Sequence, residues 1–377
     1  MFARIRAMRL IFGMAGIGIS VWALTIPFAK IRFGVDDATL GMMLFASGIG
    51  GVLTMPLAGG AVARLGGRKV VALTGLVLAV LLPVLAVAPS VLSFTALVFV
   101  YGMAFGVLDV AMNAQGSVVQ AQAGRRLMSG FHACYSGGTL AVALLDALLL
   151  RLGVSYALCS TLAALAVLAA LTQLRHLPAG PVTAGGPGFA LPSRATLLLG
   201  ACCFVCFFSE GAATDWSAVF LHFSRGMSLA NATLGYAGFA VAVVGVRVWG
   251  DALAAKLGPV TVMRLGSALS AVGLLVAACV NQGWVDIAGF FLVGLGLGNT
   301  VPLLLSAAAR VPGEAPHHAT AAVLALGYAG FLAGPVLIGA LADHFGLGPV
   351  LALNALGVAA LLPAARALTQ ASSGPES

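Results

Sequence analysis

Long stretches of this chain carry no charged residue. The runs 10–29, 38–63, 127–145, 152–174, 226–246, 265–285, 287–309, 315–342 and 345–365 hold no Asp, Glu, Lys or Arg. Residues 70–108 form a longer run that Ala88-Pro89-Ser90 divides, and 195–220 is apolar apart from Glu210 and Asp215. A helix needs about 20 such residues to cross a hydrocarbon core about 30 Å thick. The pattern predicts twelve crossings, near 10–30, 38–61, 70–88, 91–118, 129–150, 153–174, 195–221, 229–250, 259–280, 284–309, 318–342 and 347–366. Lipid offers the backbone no hydrogen-bond partner, so runs of this length must be helical. The expected fold is all-α and integral to a membrane.

Composition agrees. Hydrophobic residues make up 61% and charged residues 8%, against roughly 25% charged in soluble domains. A soluble enzyme, a disordered chain and a disulfide scaffold are excluded, because too little polar side chain exists to cover a water-facing surface. Arg4, Arg6 and Arg9 ahead of an apolar run imitate a secretory signal. The run is too long for a signal core, so it is expected to stay as the first helix. With the N-terminus inside, Lys and Arg divide 15 to 4 in favour of the inner loops, the bias of cytoplasmic loops. Both termini are then cytoplasmic, in the inner (cytoplasmic) membrane. The net charge of +8 becomes an orientation signal and an attraction to membrane lipids, not a nucleic-acid footprint.

The chain repeats itself. Tyr135, Gly137 and Gly153 recur as Tyr328, Gly330 and Gly346 at an offset of 193, and Leu65-Gly66 recurs as Leu257-Gly258 at 192. Two six-helix halves are expected, 1–174 and 195–366. A Gly/Pro-rich cytoplasmic linker, 175–194, joins them, and a cytoplasmic tail, 367–377, follows.

Twelve spans in two parallel halves, with both ends inside, resemble the major facilitator superfamily. After the second span, Gly59, Arg64, Gly66, Arg68 and Lys69 match that family's G-x-x-x-D-[RK]-x-G-x-[RK]-[RK] signature, with Ala63 at the Asp position. The resemblance implies a gating role for Arg64 and Arg68, rewired by the missing acid. Asp109 to Gly116, Ser129 to His132, Glu210-Gly211, Asp215 to Ala218 and Gly298 to Pro302 are similar to the rhizopine-permease-like, MosC-type branch.

Charges inside a bilayer are costly and face a bundle interior or a watery cavity. Glu210, some fifteen residues into the seventh helix, can take up and release a proton there. It is also a candidate to hold the solute. Asp215 is an outer gate, an anchor or a partner of Glu210. Asp109 and Asn113 share a face of the fourth helix at i,i+4, and His132 starts the fifth helix within reach of Asp109; Asp109, His132 and Asp215 are further candidates for proton coupling, and Asn113 and Gln115 for holding the solute. Arg247 and Asp251 are an i,i+4 pair, either an inner gate or a local structural pair. Asn299 is a candidate to hydrogen-bond a polar solute, and Trp22 to stack on one. Asp146, near Arg151, is expected at an interface.

No catalytic constellation, cofactor motif or metal-ligand set emerges, and no nucleotide-binding G-x-x-x-x-G-K-[ST] occurs, so ATP-driven transport within this chain is excluded. The expectation is a monomeric secondary transporter, not an enzyme. It would move a small polar solute, sugar-like or an amino-polyol through the branch resemblance, by proton-coupled alternating access. Efflux of amphipathic compounds and a scramblase or non-transporting sensor remain the alternatives.

Overall fold

The charge-free runs fold as helices because their backbones can be satisfied in no other way. The computed structural model describes residues 1–125, 127–180 and 192–370, less the side chains of 129, 251, 316, 317, 369 and 370. Among the described residues, twelve helices are long and apolar enough to cross a bilayer. They are α1 (Phe2–Phe33), α2 (Asp37–Leu65), α3 (Gly67–Val87), α4 (Val91–Ala123), α5 (Gly130–Arg151), α6 (Tyr156–His176), α7 (Arg194–Ser224), α8 (Leu229–Gly250), α9 (Pro259–Cys279), α10 (Gly283–Ala308), α11 (His318–Phe345) and α12 (Leu347–Ala364). The expected number is found, with one clear correction of a boundary. α1 starts at Phe2, well before the apolar run. Its first residues are good helix formers, Ile5, Ala7 and Met8 are buried, and Arg4 Nη1 donates to Gln122 Oε1 at 2.8 Å. Hydropathy marks the stretch that lipid covers, whereas the helix runs on past it.

Caps fix several entries. Asp36 accepts the Thr39 N–H ahead of α2 at 2.7 Å. Ser90 and Ser93 form a reciprocal capping box at α4, which satisfies donors that the first helical turn leaves open.

The chain forms two compact units, Met1–Gly186 and Pro187–Ser377. In the first, α1 packs on α5, α2 on α4 and α3 on α6. In the second, α7 packs on α11, α8 on α10 and α9 on α12, so the pairing recurs helix for helix. Small residues set the crossings. A Cβ on Gly138 would strike the Gly13 carbonyl, one on Gly102 that of Ser47, and one on Gly330 that of Phe204. Backbones approach closely where side chains are absent. The repeat reaches the turns as well. Gly66 has φ 84, ψ 141 and Gly258 has φ 81, ψ 148, a region that side chains disfavour.

The residues between the units are only partly described. Thr172–His176 form a 3₁₀ turn, and Gln115 Nε2 donates to the Pro178 carbonyl at 2.9 Å. The start of the expected linker is therefore fastened to the first unit; 181–191 lie outside the described residues. The expected tail begins as a helical turn, Ala367–Gln370, packed on α7 with Leu368 buried. Residues 371–377 lie outside the described residues.

Glu314, between α10 and α11, accepts at Oε1 from the Ser193 N–H at 2.7 Å and the Thr196 hydroxyl at 2.8 Å. Partial burial alone would raise its carboxyl, but these bonds outweigh burial and hold it below the ordinary range. A carboxylate whose folded pKa is lowered contributes stability above its unfolded value and loses it as pH falls through the folded one. Melting of the detergent-purified protein should fall as pH drops through and below the ordinary carboxylate range, and Glu314→Gln should flatten that part of the profile. Gly258→Ala, with open space around its Cβ, should lose only the backbone preference, about 1–3 kcal/mol. Gly66→Ala should melt lower still, because its Cβ would also sit 2.6 Å from the Gly180 carbonyl.

Candidate functional site

α10 is broken. Its first segment ends at Leu297 and its second starts at Thr300. Pro302 explains the break, because it has no N–H to offer the Gly298 carbonyl one turn back. Arg247 of α8 takes that place, its Nε donating to Gly298 O at 3.1 Å. Asn299, in the break, is 7% exposed. Its amide lies against Gly250, where any Cβ would overlap it. Its Nδ2 is buried without a hydrogen-bond partner. Arg247 is also the cation whose charge reaches Glu210 of α7, and Glu210 Oε1 is a buried acceptor without a partner. Arg247 thus closes the opened backbone, while the acid and the amide each keep a buried polar atom without a partner. Unsatisfied buried polar atoms are rare and call for an explanation.

α7 holds this acid on an irregular helix. Directly after Gly211, residues Ala212–Trp216 widen into a π turn, and Phe220–Ser224 form a second. Such turns recur at functional positions. Asp215, 2% exposed, lies in the first of them, and its charge reaches Tyr236 of α8. Next to Glu210, Ser209 donates to Asn354 Oδ1 of α12 at 2.7 Å, which ties α7 to α12 beside the acid.

The remaining candidates, Asp251 aside, belong to the first unit. Asp109 and Asn113 do share a face. The Asn113 amide donates to the Asp109 backbone carbonyl at 2.9 Å and to its Oδ1 at 3.2 Å. His132 lies edge-on to Phe12, with ring centroids 5.1 Å apart. Gln115 serves the Pro178 contact beside Gly67. Trp22 is 3% exposed and stacks on Tyr101 at 5.1 Å, whose hydroxyl donates to Gly18 O at 3.1 Å. Arg64 is exposed and Arg68 half-buried, and among the described residues neither forms an ion pair. The side chain of Asp251 lies outside the described residues, while Arg247 is turned to α10. Asp146 is buried at 3% exposure rather than interfacial; its charge reaches Tyr156.

The sequence profile of the Major Facilitator Superfamily matches residues 10–335. The chain belongs to the Major Facilitator Superfamily. An MFS-type transporter of Yersinia pestis is 39% identical over 96% of this chain and 95% of its own length. Membrane protein MosC of Rhizobium meliloti is 29% identical over 92% and 86%, in line with the branch expected from the motifs. Among solved structures, a mutant of the nucleoside transporter NupG matches with a TM-score of 0.81 at 12% identity, over 97% of this chain and 99% of that one. A D-xylose-proton symporter matches with 0.76 at 13%, over 97% of both. At these identities the likeness concerns the fold. This facilitator is a multi-pass membrane transporter and not an enzyme.

Sequence reasoning missed one buried pair of the facilitator. Arg225 Nε donates to Asp286 Oδ2 at 2.6 Å, its Nη2 donates to the Ala277 and Ala278 carbonyls at 2.9 and 3.3 Å, and its guanidinium lies 4.4 Å from the Phe220 ring. The signal was present. Arg225 is one of four cations assigned to the outer side, and Asp286 is an acid at the same end of the predicted spans. Lys30 pairs with Asp37 in the same way. Asp286 is fully buried, so removing one partner leaves a charge stranded. Arg225→Leu should destabilise by about 3–5 kcal/mol, and the Arg225→Leu/Asp286→Leu double variant by clearly less. A double-mutant cycle on thermal or denaturant unfolding measures both.

Proposed function

We propose that this facilitator moves a small, polar, hydroxyl-rich solute by proton-coupled alternating access, with Glu210 as the proton carrier. The observation that carries this reading is the buried, unpartnered Glu210 Oε1 under the influence of Arg247. When Glu210 is ionised, Arg247 balances it. When Glu210 is protonated, the guanidinium loses that counter-charge and the balance of the cluster changes. Only such a difference between two states lets a proton bias a conformational equilibrium. The unpartnered amide of Asn299, at a broken helix, suits the hydroxyl or carbonyl groups of a solute. Sugar-like and amino-polyol solutes fit that chemistry. The names of the two structures sharing the fold, a nucleoside transporter and a D-xylose-proton symporter, support a polyhydroxylated class.

In this reading the two six-helix units rock against each other, with both termini in the cytoplasm and the protein a monomer in the cytoplasmic membrane. Asp109, held by Asn113, is the second proton candidate. Asp215 and Arg64 with Arg68 serve the opposite gates.

A thermal-shift screen against pentoses, hexoses, polyols, amino-polyols and nucleosides should find at least one solute that raises the melting temperature. That solute, in proteoliposomes with an imposed pH gradient, should accumulate with wild type. Glu210→Gln should keep solute exchange and lose accumulation. Full accumulation by Glu210→Gln would remove Glu210 from the coupling.

A further inference from the structure

One end of the first unit carries a hollow of about 750 Å³. Three separate elements line it: the start of α1 with Phe2, Arg6 and Arg9, the turn after α4 with Arg125, and the end of α6 with Arg175. Four guanidiniums therefore converge on one concavity. Arg6, Arg9, Arg125 and Arg175 are all exposed, and among the described residues none of them forms an ion pair. No acid of this unit serves the hollow. Asp37 is engaged by Lys30, Asp36 caps α2 at that same distant end, and Asp146 is buried near Tyr156. Asp109 lies sixteen residues before Arg125, or about 24 Å along the helix axis.

Like charges held together repel, so a fold that gathers four arginines without a carboxylate is stabilised by an anion. Guanidinium forks match phosphate oxygens two at a time. The rim argues for a lipid source. Phe2 is 85% and Met1 51% exposed, and Leu10 is 40% exposed about two turns further along α1. An aromatic ring and aliphatic side chains beside arginines at the end of a membrane helix match the boundary between headgroups and acyl chains.

We infer that this hollow seats the headgroup of an anionic phospholipid, with the arginines on its phosphodiesters and Phe2 and Leu10 against the glycerol and acyl region. A lipid with two phosphodiesters uses all four arginines and is the preferred occupant.

Native mass spectrometry of the full-length protein in detergent tests this with cardiolipin, phosphatidylglycerol and phosphatidylcholine at equal concentration. Wild type should retain cardiolipin over phosphatidylcholine by about tenfold or more, with phosphatidylglycerol between them. Arg9→Gln/Arg125→Gln/Arg175→Gln should bring cardiolipin down to the phosphatidylcholine level. Lys69→Gln/Lys256→Gln/Arg310→Gln removes the same charge at other exposed positions and should keep the preference. Equal retention of cardiolipin and phosphatidylcholine by wild type overturns the inference, as does an equal loss in both triple variants. Displacement of cardiolipin by millimolar inorganic phosphate also overturns it, because the hollow would then be a site for small anions. If the hollow variant does not fold, the wild-type lipid series and the phosphate competition decide the matter alone.

Discussion

Lipid gives a polar group nothing to bond to, and the second unit is organised around one place where its own backbone breaks that rule. Pro302 withholds a donor, so the Gly298 carbonyl is left open inside a span. Arg247 crosses from α8 to close it. Arg247 itself is exposed, and its charge is felt by Glu210 of α7, although among the described residues the two form no ion pair. One missing N–H thus accounts for the guanidinium at Gly298 and for the opened turn that carries the amide of Asn299. Arg225 follows the same logic near the ends of its helices, where one cation satisfies Asp286 and the last carbonyls of α9.

The two units share a backbone plan and differ in what they place on it. Helix pairings and Leu-Gly turns repeat. At the offsets of the repeat, however, Glu210, Arg247 and Asn299 correspond to Ile17, Met55 and Gly106. The first unit keeps its acid, Asp109, in a local arrangement with Asn113 and fills its middle with the Trp22–Tyr101–Phe105 stack. Four of its arginines line a hollow at one end. Architecture was duplicated, and polar chemistry was allotted unevenly.

Most of the fold was legible in the sequence, because lipid converts a local property, the absence of charge over about 20 residues, into a helix. The start of α1 was not, since Arg4 to Arg9 are helical without being apolar. The candidate site was legible residue by residue but not as an assembly. Arg247 sits four residues before Asp251, and spacing along one helix suggests a local pair. Its actual partner lies 51 residues away, where proximity depends on how α8 crosses α10. The clue was a proline four residues after Gly298. Gln115 misled for a similar reason. A buried amide in a span suggests a solute contact, yet this one fastens the chain at Pro178.

The π turn of α7 has a consequence for descent as well as for shape. A widened turn holds one residue more than the helix around it, so everything beyond it is out of phase with the segment before. Asp215, Trp216 and Ser217 therefore face a direction that an unbroken helix would have assigned to their neighbours, roughly 100° around the axis. An ancestor one residue shorter here would have carried the same letters on a different side, so a single inserted codon is enough to aim the outer part of this helix anew while leaving the acid below it in place.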